Sequence, residues 1–560
     1  MEKIVETKSC KQCQISFDIT DKDLEFYEKI SPVFNEKKYT IPSPTVCPEC
    51  SIQNKLVWRN DKKFYRLPIG DSHLISMYRP DTAWNIIDSK DWWAQKYDVV
   101  EKEYNESENF FSQFKEIVEK TAHPHIITMD SENCDYTNFN GFCKDCYLCA
   151  AWNYSENISY CYNAEKSNDC MDCLFVFHSE RCYELVHSSK CYNVSFSIHC
   201  QDCNDSKYLD DCTGCSDCYM SVGLQNKSYY ILNKEYSKEQ YKEKIREIEQ
   251  NRNKYLKEFQ TLKQKTPKRE NYNFNSENST WEYIIDSKNC NNCYIMSESC
   301  TDCKDVLNGF PYLSDSQRCC FSWENAQLFY ETMWSGAGWY KNAFCLLILN
   351  NPERNYYCDY CINCNDCFGC SWLQNAQYCI LNKQYTKEQY ETLAAKIIEK
   401  MKQDWEWWEF FPSSLSPFGY NETVANEYFP LTKKEALERW FNWSDYEAPF
   451  PKVEKIIPAD KLPEHISDIP DDILAWAVEC EVTKKPFRII KPELEFYRQH
   501  NLPIPKRHPD QRHLDRMKFC KSRKLYERDC NKCNTSIIST YDPAKKEVIY
   551  CEKCYKQEIY

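Results

Sequence analysis

The sequence has few glycines and few histidines, 9 and 10 among 560 residues. Glycine-rich phosphate loops and paired histidine metal ligands need these residues at fixed spacings. The chain contains no GxGxxG, GxxxxGKS, GxxxxGKT, GxSxG or HExxH pattern. The common signatures of nucleotide-binding proteins, serine hydrolases and zinc proteases are therefore excluded.

Long hydrophobic runs are also missing. The longest apolar run, 343–349, is far shorter than the roughly 20 residues of a membrane-spanning helix. The N-terminus has no apolar stretch of the kind found in secretory signals, so we expect a cytoplasmic protein with no membrane partner. The net charge of -14 argues against a broad nucleic-acid-binding face, which needs a basic surface.

Cysteine, by contrast, is abundant, with 37 residues. In a reducing compartment this number indicates metal thiolates or buried thiols, because disulfides mainly stabilise small secreted domains. An odd number also cannot be paired completely. We therefore expect two kinds of cysteine, one that binds metal and one that packs.

The first four cysteines form two Cys-x-x-Cys pairs, Cys10 with Cys13 and Cys47 with Cys50. Each pair can bring two sulfurs to one ion, and four thiolates suit tetrahedral zinc. The spacing predicts a zinc ribbon over residues 1–60. Four cysteine ligands leave no open coordination position, so we expect a structural site and no catalytic residues.

A second complete set of four cysteines predicts a zinc ribbon over 519–560, which gives about two zinc ions per chain. The set consists of Cys530, Cys533, Cys551 and Cys554. At an offset of 463 residues the N-terminal half has other residues in those places, so 61–100 is predicted to be a degenerate ribbon without Cys ligands. These residues are Leu67, Gly70, Asp88 and Asp91.

The first ribbon is duplicated as well, at an offset of 470 residues around Cys480. Thr483 stands at the position of Cys13, and His508 begins the segment that replaces the second cysteine pair. Only Cys480 and His508 remain as good metal ligands. Residues 466–518 are therefore predicted to be a degenerate zinc ribbon that keeps its shape by packing.

Between the ribbons, cysteines recur with a period. Fourteen lie from Cys134 to Cys218, all separated by multiples of three. Two series, starting at Cys149 and Cys161, step by 21 residues, which predicts a β-solenoid with about 21 residues per coil. A second block repeats the pattern from Cys290. We expect two Cys-ladder β-solenoid units, unit A over 126–235 and unit B over 272–384.

Each unit ends with a capping box that predicts a helix, Ser237-x-x-Gln240 in unit A and Thr386-x-x-Gln389 in unit B. The helices are expected over 236–271 and 385–404, where they would cap the exposed edges of the solenoids. Another helix is expected over 101–125. The predicted fold is mainly β, with two solenoid units and capping helices flanked by tandem zinc-ribbon domains at both termini.

The pattern Cys-x-Asp-Cys occurs six times. It would suit a chain of metal or redox sites, because Cys-x-x-Cys is also a thiol-exchange and cluster-ligand spacing. Its repetition favours buried, packed thiols with the Asp at an outward turn, and additional zinc or iron sites or adventitious disulfides are the alternatives. His178 and His199 should stack on neighbouring coils, as surface residues or, beside Cys200, as metal ligands.

Residues 405–465 are dense in aromatic residues and prolines, and Thr432-x-x-Glu435 predicts a short helix among them. Large aromatic rings need burial. We expect an aromatic strap that packs along the solenoid or the terminal ribbons. The alternative is an exposed aromatic surface for a ligand or partner.

Several segments together resemble a group of uncharacterised cysteine-rich zinc-ribbon repeat proteins encoded by small-genome candidate-phyla bacteria. The resemblance spans nearly the whole chain and implies no activity, because the group is described by its ribbons and not by a reaction. The two degenerate ribbons depart from the group's pattern. The segments are FDITDKDLEFYEK with CPEC, ILNKEYSKEQY, ILNKQYTKEQY, EFFPSSLSPFGYNETVANEYFPLTKKEA and CEKCY.

The sequence names no substrate, and an enzyme is not favoured. Our hypothesis is a cytoplasmic zinc-binding scaffold that binds protein partners along an elongated surface. One alternative is a nucleic-acid- or ribosome-associated factor, supported by the basic stretches Lys506-Arg507-His508 and 512–524, which include Arg516 and Arg523. Another is an enzyme, either a thiol/metal redox protein or a β-helix carbohydrate-active enzyme.

Overall fold

The computed structural model describes residues 2–296, 299–309, 312–322, 325–335, 339–350, 352–447, 452–520 and 524–559. The chain is strand-rich, with 31% strand and 25% helix, which confirms the mainly β prediction. The strands form many short sheets, and none of the described sheets closes into a barrel. The α-helices are Asp21–Ile30, Pro48–Leu56, Ser89–Trp93, Phe110–Lys120, Lys238–Gln250, Arg252–Lys265, Lys387–Gln403, Val424–Tyr428, Lys433–Glu438, Lys491–Gln499, Pro509–Met517 and Glu552–Ile559.

Unit A contains the largest sheet, with eleven strands. Neighbouring strands are parallel except for the last pair, which forms an antiparallel hairpin. Two shorter strands, Glu132–Asp135 and Lys144–Tyr147, pair beside it. The eleven strands are Thr128–Met129, Asn138–Gly141, Ala150–Asn153, Tyr162–Glu165, Leu174–Phe177, Tyr183–Ser189, Tyr192–Ile198, Asn204–Asp210, Tyr219–Val222, Tyr230–Ile231 and Lys234–Glu235.

Unit B contains two parallel sheets and ends in a hairpin of Cys379–Ile380 with Lys383–Gln384. The seven-stranded sheet consists of Trp281–Ile284, Cys293–Met296, Leu307–Gly309, Cys320–Ser322, Met333–Ser335, Ile348–Leu349 and Cys361–Ile362. The four-stranded sheet consists of Thr301–Lys304, Ser314–Gln317, Ala326–Tyr330 and Trp339–Ala343.

Successive strands of unit A are twelve residues apart. Asn138 pairs with Ala150, and Ala150 pairs with Tyr162. In unit B the step is thirteen residues through the middle of the large sheet, as between Tyr294 and Leu307. The predicted coil of about 21 residues is therefore wrong.

The apparent period of 21 is the sum of one turn and a contact within the next turn. Cys149 and Cys161 lie one turn apart. Sγ of Cys161 donates a hydrogen bond to the carbonyl of Cys170, nine residues further on, at 3.6 Å. Because both steps are multiples of three, the spacing of the cysteines alone could not separate them.

Each turn is built from three-residue repeats. Along unit A a positive φ recurs at every third residue over long stretches, for example at Asn157 (54°) and Tyr160 (57°). The residue after each of these, such as Ile158 or Cys161, points into a dry interior. The Asp of all six Cys-x-Asp-Cys patterns has this left-handed conformation, with φ between 48° and 56°. This agrees with the predicted turn.

The inward thiols and hydroxyls hydrogen-bond to the backbone of the next turn. The amide of Cys191 donates to Oγ of Ser179 at 3.1 Å, and the amide of Cys161 donates to Sγ of Cys149 at 3.4 Å. The same Ser179 hydroxyl donates to the carbonyl of Phe177. Small side chains that both donate and accept therefore satisfy backbone groups that a purely aliphatic interior would leave unpaired. All 37 cysteines lie among the described residues, and each is a free thiol.

Four small modules flank the units, and we name them N1 (1–60), N2 (61–100), C1 (466–518) and C2 (519–560). N1 and C1 each contain a hairpin followed by two helices that begin 470 and 461 residues apart. N2 and C2 each contain a hairpin, a third strand and a helix. Their strands are Ile4–Ser9, Ser16–Thr20, Val33–Phe34 and Lys37–Lys38 in N1, Tyr65–Ile69, Ser72–Ser76 and Asn85–Ile87 in N2, Ala477–Glu479 and Pro486–Phe487 in C1, and Tyr526–Asp529, Ser536–Ser539 and Ile549–Tyr550 in C2.

The modules dock crosswise on the units. Module N1 packs on unit B, where Ser51 donates to the buried carboxylate of Glu331 at 2.7 Å. Module C1 packs on unit A, where Arg516 donates to Asp172 at 2.8 Å. Near-identical ring contacts mark the two docking sites, as described below. Each unit therefore holds the first-type module from the other end of the chain.

The third strand of each second-type module pairs with the strand that leads into a unit. In N2 it pairs with Ala122–Pro124, just before unit A, and in C2 with Lys268–Arg269, just before unit B. We call unit A with N2 and C1 lobe A, and unit B with N1 and C2 lobe B. Lobe B thus holds both complete cysteine sets, and lobe A holds both modules that lack one.

The capping boxes predicted after the units are formed at Ser237 and Thr386. The helix after unit B runs over Lys387–Gln403, whereas the corresponding segment after unit A breaks at Asn251 into Lys238–Gln250 and Arg252–Lys265. The expected helix in 101–125 spans Phe110–Lys120. Among the helices that the structure describes, none has the length and apolar character needed to cross a lipid bilayer.

The aromatic strap packs along unit B for most of its length. The ring of Trp408 lies against Tyr330 and Phe344, with centroids 5.2 and 4.4 Å apart. Trp405 and Trp440 remain 88% and 83% exposed, so part of the strap faces solvent. The predicted capping box at Thr432 is formed, and residues 448–451 of the strap lie outside the described residues. A short parallel strand, Ile456–Pro458, ends the strap beside module C1.

The predicted stacking of His178 on His199 is wrong. Because one turn has twelve residues, His199 lies beside His187, with ring centroids 5.8 Å apart. Its ring stacks on Tyr272 of lobe B at 4.2 Å, and its Nε2 lies 2.8 Å from the hydroxyl of Tyr283. His199 therefore joins the two lobes, and it belongs to neither of the possible metal groups found among the described residues.

Candidate metal centres

The four cysteines of module N1 converge on one point. Cys10 and Cys13 lie in the turn of its hairpin, and Cys47 and Cys50 lie at the start of helix Pro48–Leu56. Their four Sγ atoms all lie within 4.8 Å of one another, and those of Cys13 and Cys47 are 3.6 Å apart. The structure brings together all four residues that the spacing predicts.

The backbone around this centre favours thiolates. The amide of Cys47 donates to Sγ of Cys10 at 3.3 Å. A hydrogen bond from Cys50 lowers the pKa of Cys47 to about 5, whereas the same contact and burial raise the pKa of Cys50. Thiolate is the form of cysteine that binds metal, so one ligand of this group is ready to ionise first.

Module C2 contains an equivalent group. Cys530 and Cys533 lie in the turn between Tyr526–Asp529 and Ser536–Ser539, and Cys551 and Cys554 lie at the start of the last helix. All four Sγ atoms again lie within 4.8 Å of one another. The amide of Cys551 donates to Sγ of Cys530 at 3.2 Å, as the amide of Cys47 does in module N1.

The two centres differ in exposure. In module N1 only Cys13 is partly exposed, whereas in module C2 Cys533 is exposed and Cys551 is partly exposed. The side chain of Thr535 hydrogen-bonds to Cys533 and lowers the pKa of this thiol to about 6. The C-terminal centre therefore presents a more accessible thiolate to solvent, and we expect it to exchange metal faster.

Four converging sulfurs determine what these centres can do chemically. Thiolates are soft ligands, and a tetrahedral set of four binds ions such as zinc or iron. With all positions taken by protein, no site remains for a water or a substrate. The two groups are suited to holding structure, and about two metal ions per chain is consistent with the geometry.

Module C1 has no complete ligand set. Sγ of Cys480 accepts a hydrogen bond from the amide of Thr483 at 3.4 Å, which keeps the knuckle turn without metal. The Nδ1 atom of His508 accepts from the amide of Asp510 at 3.1 Å and so caps helix Pro509–Met517. The remaining histidine thus serves the local fold of the helix.

Module N2 uses its two aspartates in the same local way. Asp88 caps helix Ser89–Trp93 by accepting from the amide of Lys90 at 2.7 Å. Asp91 forms an ion pair with Lys96 at 3.2 Å. Within the described part of the chain, only the two four-cysteine groups gather three or more ligand atoms closely enough to hold an ion.

A buried charge network replaces the metal as the anchor of module C1. Asp172 of unit A accepts hydrogen bonds from both Arg512 and Arg516, and Arg512 also reaches Glu493 at 3.3 Å. All four side chains are almost fully buried. The basic face predicted around Arg516 for nucleic acid is therefore wrong for Arg512 and Arg516, while Arg523 lies outside the described residues.

Sequence reasoning missed this network. A signal did exist, because Glu493 and Arg516 stand at the positions of Asp23 and Lys55 in module N1. In that module Asp23 pairs with Lys304 of unit B at 2.7 Å. Matched charged positions on two helices thus mark the surface of each first-type module that meets a unit.

No family model, curated protein or solved structure matches this chain.

Proposed function

We propose that this chain is a zinc-stabilised scaffold that presents surfaces to protein partners and carries out no reaction of its own. The observation that supports it is the convergence of two sets of four sulfurs, each within 4.8 Å. Cys-x-x-Cys knuckles on hairpins and helix starts are typical of zinc ribbons, and zinc is the usual ion of closed four-cysteine sites. The modules then serve as rigid ribbons at both ends of the chain.

The stacked units supply the rest of the scaffold. Parallel strands that repeat every twelve or thirteen residues support a β-solenoid, in which every turn contacts only its neighbours. Such a body offers a long surface for partners. Its 37 free thiols favour a reducing compartment such as the cytoplasm, where they stay unoxidised.

Metal analysis tests this proposal. We expect protein purified anaerobically without added metal to contain about two zinc ions per chain. The double variants Cys10→Ser/Cys50→Ser and Cys530→Ser/Cys554→Ser should each lose about one ion. Cys480→Ser, a matched change in the metal-free module C1, should lose none. Absence of zinc, or zinc content that these variants do not change, would contradict the proposal.

The same measurement separates the scaffold from a redox protein. Iron bound by thiolates absorbs visible light, whereas zinc does not. Iron with visible absorbance in the anaerobic sample would favour electron transfer at the four-cysteine groups. A colourless sample with zinc alone supports the structural role.

A further inference from the structure

The two lobes carry equivalent grooves, each between a unit and the first-type module docked on it. Tyr183 and Glu184 line the groove of lobe A, and Tyr330 and Glu331, 147 residues later, line that of lobe B. Tyr183 contacts two aromatic rings of module C1 at 6.1 and 5.9 Å. Tyr330 contacts the two corresponding rings of module N1 at 5.9 and 5.6 Å.

The next turn of each unit repeats the match. Phe196 stacks on Tyr208 in lobe A, with centroids 4.8 Å apart and 6° between the ring planes. Phe344 stacks on Tyr357 in lobe B, with 4.8 Å and 7°. The aromatic floor of the two grooves is therefore the same.

In lobe B this floor is covered by the aromatic strap. The ring of Trp408 stacks on Tyr330 and meets Phe344 edge-on at 4.4 Å. The amide of Trp408 donates to the hydroxyl of Tyr357 at 2.9 Å. Under this cover Phe344 is 1% exposed and Tyr357 is 0% exposed.

In lobe A nothing described takes the place of the strap. The strap follows helix Lys387–Gln403, whereas after the corresponding helix Lys238–Gln250 the chain turns at Asn251 and continues as another helix. Phe196 and Tyr208 stay half-buried, and the Tyr208 hydroxyl receives no hydrogen bond from the residues that the structure describes. The cavity here has a volume of about 1240 Å³, against about 530 Å³ in lobe B.

The open groove is more basic than acidic. Lys254 and Lys506 have no carboxylate within ion-pair distance among the described residues, so they are available to an acidic ligand. The strap that covers the other groove is itself acidic, with Asp404, Glu406 and Glu409 beside its tryptophans. The cationic residues around the open groove are Arg252, Lys254, Lys506, Arg507, Arg512, Arg516 and Lys518, and the anionic ones are Glu184, Glu249, Glu464, Glu481 and Asp515.

We propose that the groove of lobe A binds an acidic, tryptophan-containing peptide segment of a partner protein, in the way that lobe B binds its own strap. The partner's tryptophan ring lies against Tyr183 and Phe196, and its backbone amide donates to the hydroxyl of Tyr208. Its carboxylates meet Lys254 and Lys506. This inference rests on the proposed scaffold role and names the kind of partner that the scaffold takes.

The strap sequence itself is the probe. A fluorescently labelled peptide of residues 404–415, DWEWWEFFPSSL, is titrated with the purified full-length chain, and binding is followed by fluorescence anisotropy. We expect saturable binding that weakens by about tenfold or more when the position of Trp408 is alanine in the peptide. The variant Lys254→Glu/Lys506→Glu should weaken binding by about tenfold as well.

The controls locate the peptide and separate this inference from the zinc proposal. Lys242→Glu/Lys257→Glu makes the same charge change on exposed helix positions and should alter affinity by less than about twofold. A photo-crosslinker at the Trp408 position should label residues 183–208 or 503–507. No binding at about 1 mM peptide, crosslinks to lobe B, or a single-stranded oligonucleotide that binds the groove when the peptide does not would each overturn the inference. The zinc content would be unchanged in all these cases.

Discussion

Asp210 and Asp359 occupy equivalent positions in units A and B, 149 residues apart, but only Asp210 has cationic partners. Lys263 lies 2.8 Å from Asp210, and His199 lies 3.8 Å away. Although burial opposes ionisation, these partners lower the pKa of Asp210. Asp359 has only the hydroxyl of Ser371, and burial raises its pKa to about 8.

The isolated aspartate predicts a pH effect on stability. A folded-state pKa raised from 3.8 to about 8 means that the folded chain holds a proton that the unfolded chain releases. The contribution of Asp359 to stability is thus fully present below pH 4 and is lost as the pH rises towards 8. We expect Asp359→Asn, which needs no proton, to raise the urea midpoint at pH 8 by about 1 kcal/mol or more and to have little effect at pH 5.

Urea unfolding of the wild type and Asp359→Asn at both pH values checks this expectation. Asp366→Asn, on a partly exposed aspartate that pairs with Arg354, is a suitable control and should show no stabilisation at pH 8. An equal change at pH 5 and pH 8 would mean that the effect of Asp359→Asn does not come from the proton.

The interior hydroxyls predict a difference between alanine and cysteine substitutions. Ser179 accepts from the amide of Cys191 at 3.1 Å and donates to the carbonyl of Phe177 at 3.0 Å. Ser179→Ala leaves both backbone groups unpaired in a dry interior and should cost about 1–3 kcal/mol of unfolding free energy. Ser179→Cys keeps a donor and acceptor of the kind used at neighbouring turns, and its loss should be clearly smaller. Equal stability of the alanine variant and the wild type in urea would refute this reading of the interior.

The crosswise docking predicts where metal removal acts. Both four-cysteine groups lie in lobe B, so a chelator should accelerate amide hydrogen exchange in helices Pro48–Leu56 and Glu552–Ile559. Helix Pro509–Met517 of the metal-free module C1 is the matched internal control and should keep its protection. Loss of protection at the same rate in all three helices would show that metal stabilises the chain as a whole and not lobe B in particular.

The buried anchor of module C1 predicts a strong effect of one carboxylate. Asp172→Asn leaves the guanidinium groups of Arg512 and Arg516 without their shared anion, and breaking a buried ion pair in this way costs about 3–5 kcal/mol. Asp169→Asn changes an exposed position one repeat earlier and should cost less than about 0.5 kcal/mol. Thermal unfolding of both variants measures the difference. A small effect of Asp172→Asn would show that packing alone holds the module.

The sequence was sufficient for every feature that depends on local spacing. Cys10, Cys13, Cys47 and Cys50 meet as predicted because a hairpin turn and a helix start each fix two sulfurs. Capping boxes such as that at Thr386 are local in the same sense. The strand-rich class follows from the repeated apolar segments between turns.

Features that depend on how distant segments meet could not be predicted in the same way. The twelve-residue turn was hidden because contacts along and across a turn are all multiples of three. The docking of module C1 on unit A joins Arg516 to Asp172, 344 residues away in the chain. No pattern within either segment names the other, and both modules of this type carry charges that would fit either unit.

The left-handed residue in every repeat has a consequence for how this chain can change length. Adding one residue to a twelve-residue turn would move each later thiol from the interior to solvent, unless the extra residue is absorbed where it enters. The thirteen-residue turns of unit B show that such absorption occurs. Chains of this design can therefore grow by whole turns, so that their lengths rise in steps of twelve or thirteen while the ends, which hold the sulfur clusters, stay as they are.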